Sequence, residues 1–323
     1  MIVAGTLIGT PGGAVAAETL RPGDAVLALE NGQPVARPLR SVYRLDIAPD
    51  RHPMPARVLP LRVMAGALAP GVPSRDLLLS PDHPVFVEGA LFQAQSLGNG
   101  ASIAQPAASG TLAYIHLELG RHGLLLAEGV AVASYLDTGD RSQFAGGVAM
   151  PDLATTPTAA ALAVWTANGC TKLRLDIAAI RPVHAALAAR AGTLGWRMSA
   201  DPAVVVLADA SAVPLARFAA GHMQARLPGG TRVVCLYSRS FAPADHDPAS
   251  GDRRRLGLAV RAVRLNGQPM PADALGSGWY PPEAAWRWTN GDALIILPPL
   301  AAAATLELRS EPAAVAGYWV APT

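Results

Sequence analysis

Turn-forming residues cut the apolar stretches of this chain into short pieces, and that limits the folds open to it. With 31 glycines and 29 prolines in 323 residues, few segments are uninterrupted for long enough to make extended helices. From residue 1 to about 144, short apolar runs alternate with turns. Gly13-Ala14-Val15-Ala16 and Asp24 to Leu29 read as strands, and Glu30-Asn31-Gly32-Gln33 reads as a tight hairpin turn. Val58 to Val63, Asp76 to Leu79, Tyr114 to Leu119 and Leu124 to Ala127 continue the series. The pattern predicts a compact, all-β, pseudo-twofold body.

Residues 145–158 form a Gly/Pro/Thr stretch expected to be a linker. A helix is predicted near Ala159 to Ala167. A stronger one runs from about Ile177 to Leu194, where Ile180, Val183, Leu187 and Ala191 share one face and Pro182 sits in an early turn. Strand patterns then return, from Val204 to Val320. The expected architecture is mainly β: a domain over 1–144, a linker, then 159–323 as a helical entry leading into a β-sandwich of jelly-roll type.

A formal net charge of +2, with 15% charged residues, gives no bulk field for nucleic acid or an acidic membrane surface. Two cysteines, Cys170 and Cys235, cannot form a disulfide framework and are expected to be small buried hydrophobes. No secretory signal is visible, and no apolar run is long enough to span a bilayer, so a soluble chain without membrane insertion is expected. No glycine-rich phosphate loop is present, and no cofactor is expected.

Three ordered blocks carry the chemistry. The first comprises Gly5-Thr6, Ile8, Thr10, Gly13, Val15, Glu18, Leu20, Gly23-Asp24 and Val26. The second is Leu79-Ser80-Pro81-Asp82-His83-Pro84-Val85. The third runs from Tyr114 through His116, Glu118, His122 and Glu128-Gly129 to Ser134-Tyr135-Leu136-Asp137-Thr138-Gly139-Asp140-Arg141. Together, over roughly the first 144 residues, they resemble the bacterial branch of the Hint domains shared by Hedgehog autoprocessing proteins and inteins. The resemblance implies an all-β fold and a self-cleavage site. The nucleophile's place, usually a cysteine, falls on Met1, while Ser80 and His83 fall on the hydroxyl and imidazole that strain and protonate the scissile amide. Ala133-Ser134 stand where inteins carry the His-Asn pair that releases the downstream segment.

Methionine sulfur already bears two carbons, so it has no proton to lose and cannot form a neutral thioester. Met1 also begins the chain. The expectation is therefore a degenerate Hint-domain protein that neither cleaves itself nor splices, serving as an interaction or binding module with a glycan or another protein as partner. The alternative is an active autoprocessing protein whose cysteine at position 1 has been replaced.

The same residues admit two other readings. Asp82, His83, His116, His122 and Glu128 are ligand types for zinc, but their spacing matches no recognised pattern, and no metal is expected. A Ser80–Asp82–His83 triad is disfavoured because neighbouring side chains on an extended segment point to opposite faces.

In the C-terminal half, Trp279, Tyr280, Trp286 and Trp288 cluster with Glu283 and Arg287. The segment is similar to a β-sandwich accessory module of bacterial glycan-acting proteins. Trp286 and Trp288 share a strand face suited to core packing. Trp279 and Tyr280 are expected in an exposed loop where, with Glu283 and Arg287, they would bind carbohydrate. Arg239 and Asp252 are expected to pair.

Overall fold

The computed structural model describes residues 1–106, 110–144, 153 and 156–322. The chain divides into two compact units after Trp196.

The first unit is built from short antiparallel strands joined by tight turns. At Glu30–Gln33 the two central residues, Asn31 and Gly32, have φ of 49° and 76°, the left-handed pair that matches the twist of a two-residue hairpin. The same device closes the Glu88-Gly89 and Glu128-Gly129 turns. The strand Gln33–Ile47 is 15 residues long. Its first part pairs with Ala25–Glu30 and its second with Leu112–Leu119.

The strand Ile2–Val3 lies between two others, with Ile2 opposite both Leu79 and Ile115. That register brings residue 1 beside the segment that follows Leu79, and the Ser80 amide donates to the Met1 carbonyl at 2.8 Å. The buried Glu128 carboxylate secures the neighbouring strand by accepting from the Leu7 amide at 2.7 Å and from Arg75 at 2.7 Å.

Helices α1 (Ala159–Asn168) and α2 (Ile177–Thr193) begin at Thr158 and Asp176, whose side chains accept from the Ala161 and Ala179 amides. Ile180, Val183 and Leu187 of α2 are buried in the same core as Ile8, Val26, Leu77, Ile115 and Val132. The helices thus belong to the first unit and are not the entry to the sandwich. The physical reason is where α2's apolar stripe is buried. The sandwich fills its own core with strand residues, while the first unit's core takes the helix face. The expected linker, 145–158, lies largely outside the described residues.

The second unit is a β-sandwich. One sheet holds Ser211–Val213, Val205–Ala208, Val233–Tyr237 and Asp292–Ile296. The other is built on His222–Leu227, Ala304–Ser310 and Ala259–Leu265. Val206, Val234, Leu236 and Ile295 face Met223, Leu227, Val263, Leu306 and Leu308 across the core.

Two local expectations are corrected here. Arg239 contacts Asp201, donating to its carbonyl at 2.8 Å, whereas Asp252 pairs with Arg254, because the two-residue spacing lets Arg254 fold back onto it. Cys170 is exposed and Cys235 half-buried, and both are free thiols. Among the described residues, no helix is long and apolar enough to cross a membrane.

Because α2 completes the first unit's core, Leu187→Ala is expected to cost that unit about 2–5 kcal/mol. The measurement is urea unfolding of the truncated chain 1–196. A midpoint equal to that of the unmodified fragment would mean the helix is not part of this core.

Candidate functional site

Residue 1 is buried, with 4% of its surface exposed. Its side chain joins Val3, Ile47, Val58, Tyr114 and Leu153 in a small apolar cluster. Its backbone nitrogen, an amine in this structure, faces the loop between the strands Leu77–Leu79 and Pro84–Val87. There it donates to Ser80 Oγ at 2.7 Å and contacts His83 Nδ1 at 2.7 Å. Ser80 in turn donates to Asp82 Oδ1 at 2.6 Å.

The loop is a turn and not an extended segment. The His83 amide donates to the Ser80 carbonyl at 3.0 Å, and the Asp82 amide donates to the Leu153 carbonyl at 2.9 Å. Ser80 and Asp82, two residues apart, meet on one side of this turn, whereas the alternation argument concerned the adjacent Asp82 and His83. Asp82, set aside in the sequence reading both as a metal ligand and as a triad member, belongs to the site through Ser80. Its i to i+2 relation to a hydroxyl, followed by proline and histidine, was the available signal. No Asp82–His83 bond accompanies it among the contacts of this loop, so the arrangement is a branched cluster around the residue 1 nitrogen and not a linear triad.

Burial governs the charges. Desolvation holds the Met1 amine down to about 5, opposed by the carboxylates of Asp82 and Asp140. Burial, then the neighbouring amine, then His122, keep His83 well below the usual histidine range. His116, whose ring lies 6.3 Å from that of His83 and 4.9 Å from that of Tyr135, is pushed the same way by burial and by the amine. Burial raises Asp82, while the amine and Ser80 pull it back.

Chemically, a hydroxyl whose own hydrogen is committed to Asp82 presents a lone pair to the residue 1 N–H. The imidazole approaches the same nitrogen. With an amide at that place, such a contact can carry a proton from the ring to a departing nitrogen. Met1 supplies no thiol beside it.

The closing segment Ser134 to Arg141 locks this region from behind. Arg141 bridges Glu118 at 3.0 Å and Asp137 at 2.8 Å, and Tyr135 donates to Asp140 at 2.9 Å. Glu118 also accepts from Tyr43 at 2.7 Å.

The other residues singled out in the sequence lie outside this cluster. Among the described residues, no group of three or more His, Cys, Asp or Glu side chains could hold a metal ion. Glu128 is paired with Arg75, and His122 Nδ1 accepts from the Cys170 amide at 2.9 Å. In the second unit, Trp279 packs against the sandwich core, and its indole N–H donates to the Leu294 carbonyl at 2.8 Å. Tyr280 packs with Trp286 and Trp288, under the Arg254 guanidinium. Arg287 donates to the Tyr280 carbonyl at 2.5 Å, and Glu283 accepts from Arg254 and Trp288. Trp279 and Tyr280 are therefore half-buried instead of standing in an exposed loop, because the chain there bridges back to Thr289 and the Trp288 carbonyl.

Stability follows from the amine. In a chain starting at Met1, the folded amine titrates near 5 and the unfolded one near 8.0. Between those values the unfolded state binds more protons, so this group's contribution is lost as pH falls from 8 towards 5. His83 and His116, both lowered, add a loss of the same sign below the usual histidine range. A chain extended upstream, with an amide at that nitrogen, is expected to keep the histidine slope and lose the amine's part. Denaturation at a series of pH values compares the two chains, and identical slopes would show that the amine is not buried.

The family model described as the Hint domain matches residues 2–139. Solved structures similar to this chain include a bacterial intein-like domain from Clostridium thermocellum, 17% identical. It is covered over 97% of its length by 42% of this chain, with a TM-score of 0.30. The MchDnaB-1 intein is 12% identical, with 42% of this chain covering 100% of it and a TM-score of 0.29. No curated protein matches the chain. Residues 2–139 are a Hint domain, carried at the N-terminal end of a mainly β chain.

Proposed function

We propose that this is a Hint domain that keeps the amide-activating half of its site but has lost the nucleophile, and that the protein serves as an interaction module and not as a self-processing one. One observation carries the reading. The residue 1 nitrogen sits at 2.7 Å from both Ser80 Oγ and His83 Nδ1, while the only sulfur at that residue is a thioether buried among apolar side chains. The hydroxyl and imidazole are placed to distort and protonate an amide. The step before it, attack on the preceding carbonyl, needs a group that can lose a proton and end as a neutral ester or thioester. Methionine offers neither.

Ala133 and Ser134 support the same reading for the downstream end. An alanine holds no proton to transfer, and Ser134 Oγ accepts from the Gly123 amide at 3.1 Å as part of the turn.

The test restores what is missing. A peptide fused ahead of residue 1 is expected to stay attached in the Met1 chain under reducing thiols. The same fusion carrying Met1→Cys is expected to release the peptide, and Met1→Cys combined with His83→Ala to release it about 10²-fold or more slowly. Release from the unmodified Met1 fusion would refute the loss of activity. Silence of a folded Met1→Cys fusion would refute the claim that the remaining site is competent.

A further inference from the structure

We infer that the first unit carries a second site, a cleft that binds an acidic peptide segment in extended form. The inference gives the interaction-module reading a surface and a class of partner. The cleft has a volume of about 1410 Å³. That exceeds the roughly 300–1,000 Å³ of typical small-molecule sites and suits a length of polypeptide. Its walls are the Asn31-Gly32 hairpin, the Gly120–Gly123 loop, the end of α1 and the Gly169–Thr171 turn.

The charges of the lining are unequal. Four guanidiniums, Arg37, Arg40, Arg121 and Arg141, face three carboxylates, Glu30, Glu118 and Asp137. The carboxylates are already engaged. Glu30 is held bidentately by Arg37 at 2.6 and 2.7 Å, and Arg141 bridges Glu118 and Asp137. Arg40 has only a 3.6 Å contact with Glu118, itself shared with Arg141, and its side chain is 64% exposed. Arg121, also exposed, makes no direct salt bridge among the described residues and acts on Glu30 only at longer range, as the weakest influence on that carboxylate.

Backbone geometry gives an independent reason to look at Arg40. Opposite the strand Leu112–Leu119 the register jumps, with Glu118 facing Ser41 and Leu119 facing Leu39. Arg40 is the extra residue of that β-bulge, a feature that re-aims a side chain beside a site.

A third observation concerns His122. Its Nδ1 accepts from the Cys170 amide, and burial holds the ring down to about 4, so the neutral ring carries its hydrogen on Nε2. The Ser134 backbone opposes that lowering, so main-chain groups of Cys170 and Ser134 hold the ring. The ring is clamped edge-to-face by Trp165, with centroids 4.9 Å apart. The ring is thus a fixed part of the wall, and the exposed Arg40 and Arg121 beside it call for anionic acceptors, which a peptide's carboxylates supply. The interleaved carboxylates disfavour a nucleic-acid backbone, whose every unit carries a charge.

The experiment uses the full chain and a fluorescein-labelled peptide of alternating alanine and glutamate, followed by fluorescence polarisation. Saturable binding is expected at low salt, weakening as salt rises. The Arg40→Glu/Arg121→Glu double variant should bind about tenfold or more weakly, whereas Arg226→Glu, on the sandwich, should bind as the parent does. Both cleft positions are exposed, so the variant is expected to keep its fold, with circular dichroism as the check. The proposal is overturned by absence of saturable binding, by equal binding of an alanine–glutamine peptide, or by an unchanged double variant. Displacement by an oligothymidylate at lower concentration than by unlabelled peptide would also overturn it. Cleavage plays no part in this measurement, so its failure leaves the Met1→Cys result untouched.

Discussion

A two-residue strand holds the site in place. Ile2–Val3 fits between Leu77–Leu79 and Leu112–Leu119, so the first backbone nitrogen has nowhere to go except against the turn that begins at Ser80. Both flanking strands are themselves fixed from outside the site. Leu112–Leu119 pairs along the long strand Gln33–Ile47, and Leu77–Leu79 is backed by Leu61–Val63. Contacts at 2.7 Å to both a hydroxyl and an imidazole are thus a consequence of register and do not rely on side-chain reach. A slip of one residue would put a side chain where the nitrogen now lies.

The surrounding residues are organised around the cost of burying that polar group. An isolated amine, imidazole and carboxylate in an apolar interior are each expensive, and each gives up some charge: the amine and His83 are driven towards their neutral forms and Asp82 towards its protonated form. What makes the cluster tenable is that its members face one another. Ser80 accepts from the nitrogen and donates to Asp82, so one hydroxyl serves both ends. The orphan is His83 Nε2, a buried ring nitrogen with no partner. A site kept only for stability would have no use for a polar atom left in that state.

Much of this was legible in the sequence, for reasons that can be named. The hairpin at Asn31-Gly32 and the short strands around it were visible because left-handed turns demand few residue types. Ser80 and His83 were visible through their order relative to the first and third blocks; alone, S-P-D-H-P reads as a surface turn. Asp82 was named but set aside, because the alternation argument addressed its bond to His83 and not its bond to Ser80, and its amide's partner, Leu153, lies more than seventy positions away. The destination of α2 was hidden for a similar reason. Its apolar stripe, Ile180, Val183 and Leu187, announces burial but not the surface that receives it. Trp279 misled because proline neighbours suggest exposure, whereas an indole N–H finds its partner through the sheet, here the Leu294 carbonyl. Arg40 had no signal at all, since a bulge exists only in the pairing of two strands.

The methionine at residue 1 is accommodated by packing. A cysteine side chain is short and, to react, must be free to lose its proton and approach a carbonyl. Met1 instead extends into a cluster with Val3, Ile47, Val58, Tyr114 and Leu153, and is 4% exposed. Its thioether is flexible and polarizable, suited to filling an irregular apolar gap. Tyr114, whose hydroxyl donates to the Val58 carbonyl at 2.6 Å, and Leu153, whose carbonyl receives the Asp82 amide, tie that cluster directly to the turn at Ser80 to His83. Met1 therefore packs against the groups that shape the turn at Ser80 to His83.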